Sequence, residues 1–147
     1  YAKNNPRWGY LFELQKELCA VLELKCNVGI EAHRAYMEGD KKALAVIADE
    51  TLPEITKRMR SFHSAVTKQW HSENQAIGLD SLDLKLGGVI MRLEVAEKRI
   101  RDYVEGRITE IQELSRERLP FINRREKSLS VVALNNWKRN VTANVLM

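Results

Sequence analysis

The sequence predicts an all-α fold, an antiparallel bundle of about four to five helices followed by an irregular C-terminal tail. Three observations carry that expectation. Apolar residues recur at intervals of three and four over stretches much longer than a strand. Those stretches are separated by short groups containing Gly, Asp or Pro, the residues that end one helix or begin the next. The composition is globular, with 44% hydrophobic and 30% charged residues but only 7 Gly and 3 Pro among 147. A chain of this length can bury most of its apolar surface around one core, so residues 1–147 read as a single helical domain.

The first helix is predicted from Trp8 to about Met37, with Pro6 ahead of it and Leu11, Leu14, Leu18, Val21, Leu22 and Val28 on its buried stripe. Cys19 and Cys26 lie seven apart on that helix, on one face and roughly 10 Å from each other, too far for a disulfide. They read as reduced core thiols. Gly39 supplies a left-handed stop, and Asp40 can cap the amides of the next helix. The second helix runs from Lys41 to about Asn74 and buries Leu44, Ile47, Leu52, Ile55, Met59, Phe62, Val66 and Trp70. Pro53 lacks an amide donor and clashes with the preceding turn, so a break is expected at Thr51-Leu52 with Pro53 near the new start.

Ser72 to Asp80 reads as a loop, with Asp80 or Ser81 capping a third helix built on Leu82, Leu86, Val89, Ile90, Leu93, Ile100 and Val104. Gly87 and Gly88 fall inside it, where each costs about 1 kcal/mol relative to Ala. Close approach of another backbone is the expected compensation; a phosphate cradle would need a strand before the glycines, and none precedes them. Gly106 is expected to bend the chain without stopping it, so that Ile108, Ile111, Leu114 and Leu119 continue the helical stripe as far as Pro120. Beyond Phe121 a polar linker leads to the tail, from Ser130 to Met147, apolar enough to dock on another surface.

No constellation in the chain carries catalysis. Asp49-Glu50 is an acidic pair, but a glycosidase needs one carboxyl held in a cleft with a raised pKa and a second group across the scissile bond. The pair reads as solvated helix surface. His33, His63 and His71 show no spacing that sets two ligands on one helical face, so no metal site is expected. The cysteines have no histidine near them in sequence, and no Gly-x-Ser-x-Gly elbow occurs. No cofactor motif is present, and the Asn140-Val141-Thr142 sequon is given no role. Trp8, Trp70 and Trp137 read as core or interface anchors.

The net charge of +4 comes from 24 basic and 20 acidic residues interleaved along the chain, without the basic stripe and stacking aromatics of a nucleic-acid binder. No apolar run has the length of a membrane span, and Tyr1 to Pro6 contains no signal-peptide core. Reduced thiols fit a cytoplasmic setting. The start at Tyr1 reads as that of a piece excised from a longer protein.

Several segments become informative in series: Asn5-Pro6-Arg7-Trp8-Gly9-Tyr10-Leu11-Phe12, Leu18-Cys19, Leu22-Glu23-Leu24-Lys25, Ala35-Tyr36 before Gly39-Asp40, Trp70 before Glu73-Asn74, the run from Ile77 to Gly88, and Asn140 to Asn144. In this order and spacing the chain resembles the helical C-terminal domain of bacterial glycoside hydrolase family 20 enzymes, exo-β-N-acetylhexosaminidases of a cytosolic, three-domain type. The resemblance implies a parent with a small α/β domain, a (β/α)8 catalytic barrel and this helical domain last. In the family an adjacent Asp-Glu pair after His-x-Gly-Gly removes terminal N-acetylhexosamine by a retaining reaction in which the substrate acetamido group is the nucleophile. Asp49-Glu50 follows Val46-Ile47-Ala48 instead, so no catalytic residue carries over. The resemblance further implies packing against the barrel of the same chain and a homodimeric parent, with Trp8, Tyr10, Phe12 and Trp137 as candidate interface residues.

Two other readings remain open at the level of sequence. A free-standing helical module would bind a partner through an apolar groove. A basic nucleic-acid binder would show salt-sensitive association.

Overall fold

The computed structural model describes residues 4–116. The expectations that fall on Leu119, Pro120 and the tail from Phe121 to Met147, Trp137 included, lie outside the described residues. In chain order the elements are α1 (Gly9–Met37), α2 (Lys41–Val46), a π-helical turn (Ile47–Thr51), α3 (Leu52–Glu73), α4 (Leu79–Val104) and α5 (Gln112–Ser115). The described residues contain no strand. The all-α expectation holds, and three long helices dominate it.

Sequence chemistry accounts for the boundaries. At the end of α1 the Gly39 amide donates to the Tyr36 carbonyl at 3.1 Å and the Asp40 amide to the Ala35 carbonyl at 2.8 Å. The end of α4 repeats the pattern, Gly106 donating to Tyr103 at 3.1 Å and Arg107 to Asp102 at 2.8 Å. Both are Schellman closures, which need a left-handed residue, and Gly39 and Gly106 have φ of 69° and 78°. Gly106 therefore stops α4 rather than bending it. Residues 107–111 are not helical, and Ile111 precedes the short α5 instead of continuing a stripe.

Asp40 caps α2 as expected, its carboxylate accepting from the amides of Lys42 at 3.0 Å and Ala43 at 2.9 Å. α3 starts at Leu52 with Pro53 in its first turn. No loop separates it from α2, however: Val46, Thr51 and Leu52 all keep right-handed helical dihedrals, and the Leu52 amide reaches back five residues to the Ile47 carbonyl. The wide turn lets the chain run helically into a proline that has no amide to offer. The start of α4 also departs from expectation, because its N-cap position is Gly78, one residue ahead of the helix, and Asp80 and Ser81 lie within the first turn.

Cross-helix bonds fix the topology. Going along α1, Tyr10 meets Glu73, Glu13 meets Lys68, and Ala20 and Glu23 meet Arg58, so α1 and α3 run antiparallel. Between α3 and α4, His63 meets Asp83 and Arg60 meets Glu94, and Arg101 of α4 reaches Asp49 of the π turn. α4 is thus antiparallel to α3, which is the central helix. The core lies along it: Val21, Val28, Ala32 and Ala35 from α1, Leu44 from α2, Ile47 and Ala48 from the π turn, Leu52, Ile55 and Met59 from α3, Ile90, Leu93 and Ile100 from α4, and Ile111.

Candidate functional site

The residues singled out by sequence do not converge on one place. Asp49 is exposed and engaged by Arg101, whose Nε and Nη2 donate to one carboxylate oxygen at 3.0 and 2.8 Å. Glu50 is exposed beside it on the π turn. The hydrogen bond to Asp49 is the main cause that raises the Arg101 pKa above its ordinary value. An acid committed to an arginine at the surface lacks the dry cleft that a proton donor at neutral pH requires. His63 is hydrogen-bonded to Asp83 at 2.7 Å, across the α3–α4 contact. Among the described residues no group of three or more His, Cys, Asp or Glu side chains could hold a metal ion.

Interface candidates fare differently. Trp8 and Phe12 are exposed, by 46% and 44%, while Tyr10 is half-buried and hydrogen-bonds Glu73 at the end of α3. That bond raises the Tyr10 pKa, by favouring the protonated phenol next to a carboxylate. Tyr10 therefore ties α1 to α3, and Trp8 and Phe12 are the outward members of the trio. Gly87 is half-buried and Gly88 exposed. A Cβ built on either meets nothing within 4 Å, so the close backbone approach expected for them does not lie among the described residues.

The larger surface was missed by the sequence reading. Cys19 and Cys26 are exposed, not core, and Leu22 is 43% exposed rather than buried. With Trp8, Phe12, Ile30 and Met37, also exposed, they recur at helical spacing and form a second apolar stripe along α1, turned away from α3. Its length, at 1.5 Å per residue over the whole helix, is about 40 Å. α4 carries a shorter stripe of exposed Leu84, Met91 and Val95, with Gly88 between them at the same spacing. A signal was available, since Leu22, Cys26 and Ile30 widen the apolar arc of α1 beyond what one neighbour can cover. Periodicity alone, however, does not say which side of a wide arc faces the core.

The end of the bundle opposite Trp8 is closed. Lys41 Nζ donates to the last carbonyls of α4, Tyr103 and Val104, both at 3.4 Å, and sits 5.2 Å from the Tyr103 ring centroid. Tyr103 packs against Tyr36 with centroids 5.1 Å apart, and the Tyr36 hydroxyl accepts the Ile111 amide at 3.3 Å. At the Gly78 turn, the Trp70 indole donates to the Gln75 carbonyl at 2.7 Å and lies 3.3 Å from a Cβ built on Gly78. Trp70 thus anchors a turn inside the domain. No helix among the described residues is long and apolar enough to cross a membrane.

Among the described residues the arrangement exposes two apolar stripes on the outer helices. A family model described as the Glycoside Hydrolase 20C C-terminal domain matches residues 1–133. No curated protein matches the chain.

Proposed function

This chain belongs to the glycoside hydrolase 20C C-terminal domain family, and on that premise we propose that it is the non-catalytic helical domain of a β-N-acetylhexosaminidase. The family match over residues 1–133 is the observation that carries this reading. The parent enzyme then removes terminal N-acetylhexosamine in a (β/α)8 barrel, by a retaining reaction that uses the substrate acetamido group, and the helices described above brace that barrel. The exposed stripe of α1 is the surface offered to it. Leu22, Cys26 and Ile30 are apolar groups that a free-standing domain would leave in water, and burying each contributes about 1–3 kcal/mol to association. Trp8 and Phe12 extend the same surface.

The reading also makes the parent a homodimer, bacterial and cytoplasmic, without nucleic-acid or membrane partners and without a cofactor in this domain. Two free, exposed thiols on one helix suit a reducing compartment. In the parent enzyme, Leu22→Asp and Ile30→Asp should lower thermal stability and N-acetylhexosaminidase activity, while the isolated domain keeps its helicity by circular dichroism. Unchanged parent stability would remove the α1 stripe from the interface. A parent coding sequence lacking a barrel-sized segment with His-x-Gly-Gly-Asp-Glu upstream of Tyr1 would remove the enzyme reading altogether, and a strictly monomeric parent by light scattering would remove the dimer. A free-standing interaction module is the competing reading, and those same arms separate it.

A further inference from the structure

α1 and α4 flank α3, and between them runs an apolar groove of about 220 Å³. Val28, Gly29 and Ala32 form one wall, Val95, Ala96 and Arg99 the other, while Ile47 of the π turn and Leu52 of α3 line it between them. Its end is made by Ile111 and Leu114, the last apolar residues before the described chain stops at Arg116. Two features of this groove motivate an occupant. Val95 is 45% exposed on its wall, an apolar side chain left in water along a cavity that is otherwise apolar. Arg99 Nε is buried without a hydrogen-bond partner among the described residues, and Arg99 reaches Glu113 only through Nη2, at 3.4 Å. A buried donor without an acceptor costs free energy that an incoming carbonyl would recover.

The occupant can be read from the remaining chain. Thirty-one residues follow Arg116, and in their sequence Leu134, Trp137, Val141 and Val145 recur at intervals of three and four, separated by Asn136, Lys138, Arg139 and Asn140. In a helix that spacing would set the four on one face. The residues from Glu117 to Ser128 span up to roughly 40 Å when extended, so the link places no obstacle between groove and segment. We propose that the segment from Leu129 to Met147 of this same chain occupies the groove between α1 and α4, setting Leu134 and Trp137 against Val28, Val95 and Ala96 and bringing a backbone carbonyl to Arg99 Nε. All four of those apolar residues lie beyond residue 133, where the family match ends.

The test uses the full 147-residue chain carrying Trp137→p-benzoylphenylalanine, irradiated at micromolar concentration and mapped by mass spectrometry. Cross-links should form within one chain, to residues 28–32 or 92–100, with a yield that does not change on tenfold dilution. Leu134→Asp on the same chain should abolish them, and Val95→Asp should do so from the other side while circular dichroism shows the helices intact. Cross-links between copies would assign the groove to a second molecule and overturn the proposal. Cross-links elsewhere on the chain, or none, would overturn it as well. The outcome is independent of the hydrolase reading, because it concerns only contacts within this chain.

Discussion

Among the described residues Leu44 and Ile55 are the two largest side chains with no exposed surface, and both belong to the core around α3. Replacing either by Ala should cost about 2–5 kcal/mol, measured by urea unfolding of the isolated chain, because the rigid helix ends around them leave little room to collapse. Gly87→Ala and Gly88→Ala should go the other way. A methyl group meets nothing within 4 Å at either position, so each change should stabilise the isolated domain by about 0.5–1 kcal/mol through helix propensity. A loss of stability in the same melts would mean that the glycines are already in contact. Residues of this kind were partly legible in the sequence. Leu44, Ile55, Met59, Ile90 and Ile100 sit at the periodic positions that mark them as core. Leu22, Cys19 and Cys26 satisfy the same periodicity and are exposed, since hydrophobicity reports that a residue seeks cover and not which neighbour provides it.

Among elements, charge pairs hold neighbours in register. Arg58 is the busiest: its guanidinium donates to the Ala20 carbonyl and Glu23 of α1, both at 2.6 Å, and to Glu54 of its own helix at 2.9 Å. Nothing in the sequence marked it, because its partners lie up to 38 residues away. The Arg58 hydrogen bond holds the Glu54 carboxyl below the ordinary glutamate range, and Lys68 does the same to Glu13 across α1 and α3. Glu113 is lowered by its backbone hydrogen bond and by Arg99. A carboxyl whose folded pKa is depressed contributes stability that is present above its unfolded value, about 4.3, and lost as pH falls through the folded value. Thermal melts should therefore drop between about pH 5 and 3, by less in a Glu13→Gln, Glu54→Gln double variant. An equal drop in that variant would place the acid sensitivity elsewhere. The helix ends show what local sequence does and does not specify. Gly39 with Asp40 was readable because stop and cap are adjacent. The stop at Gly106 was not, since a glycine flanked by apolar residues at helical spacing fits a bend as well as a Schellman closure, and only the Tyr103 and Asp102 carbonyl bonds decide. The π turn was hidden for a related reason, because Pro53 announces a break but the chain absorbs it by widening one turn.

For the molecule as a whole, the apolar periodicity settles an all-α architecture and the described residues place it around α3, while the functional reading rests on the family match and the proposed docking surface on what that architecture leaves uncovered. Asp49 is spent on Arg101, His63 is paired with Asp83, and the exposed stripes lie on the two outer helices. Trp8 and Phe12, expected from the sequence as interface candidates, are exposed at the start of the α1 stripe; the remainder of that stripe needed the packing of α3 to be seen. These features support the proposal that the domain braces chemistry performed in another part of its protein. The most direct measurement is hydrolysis of a chromogenic N-acetylhexosaminide by the purified chain, assayed beside the parent enzyme. The account predicts turnover by the parent and none by this chain; turnover by the chain itself, abolished by Glu50→Gln, would contradict it.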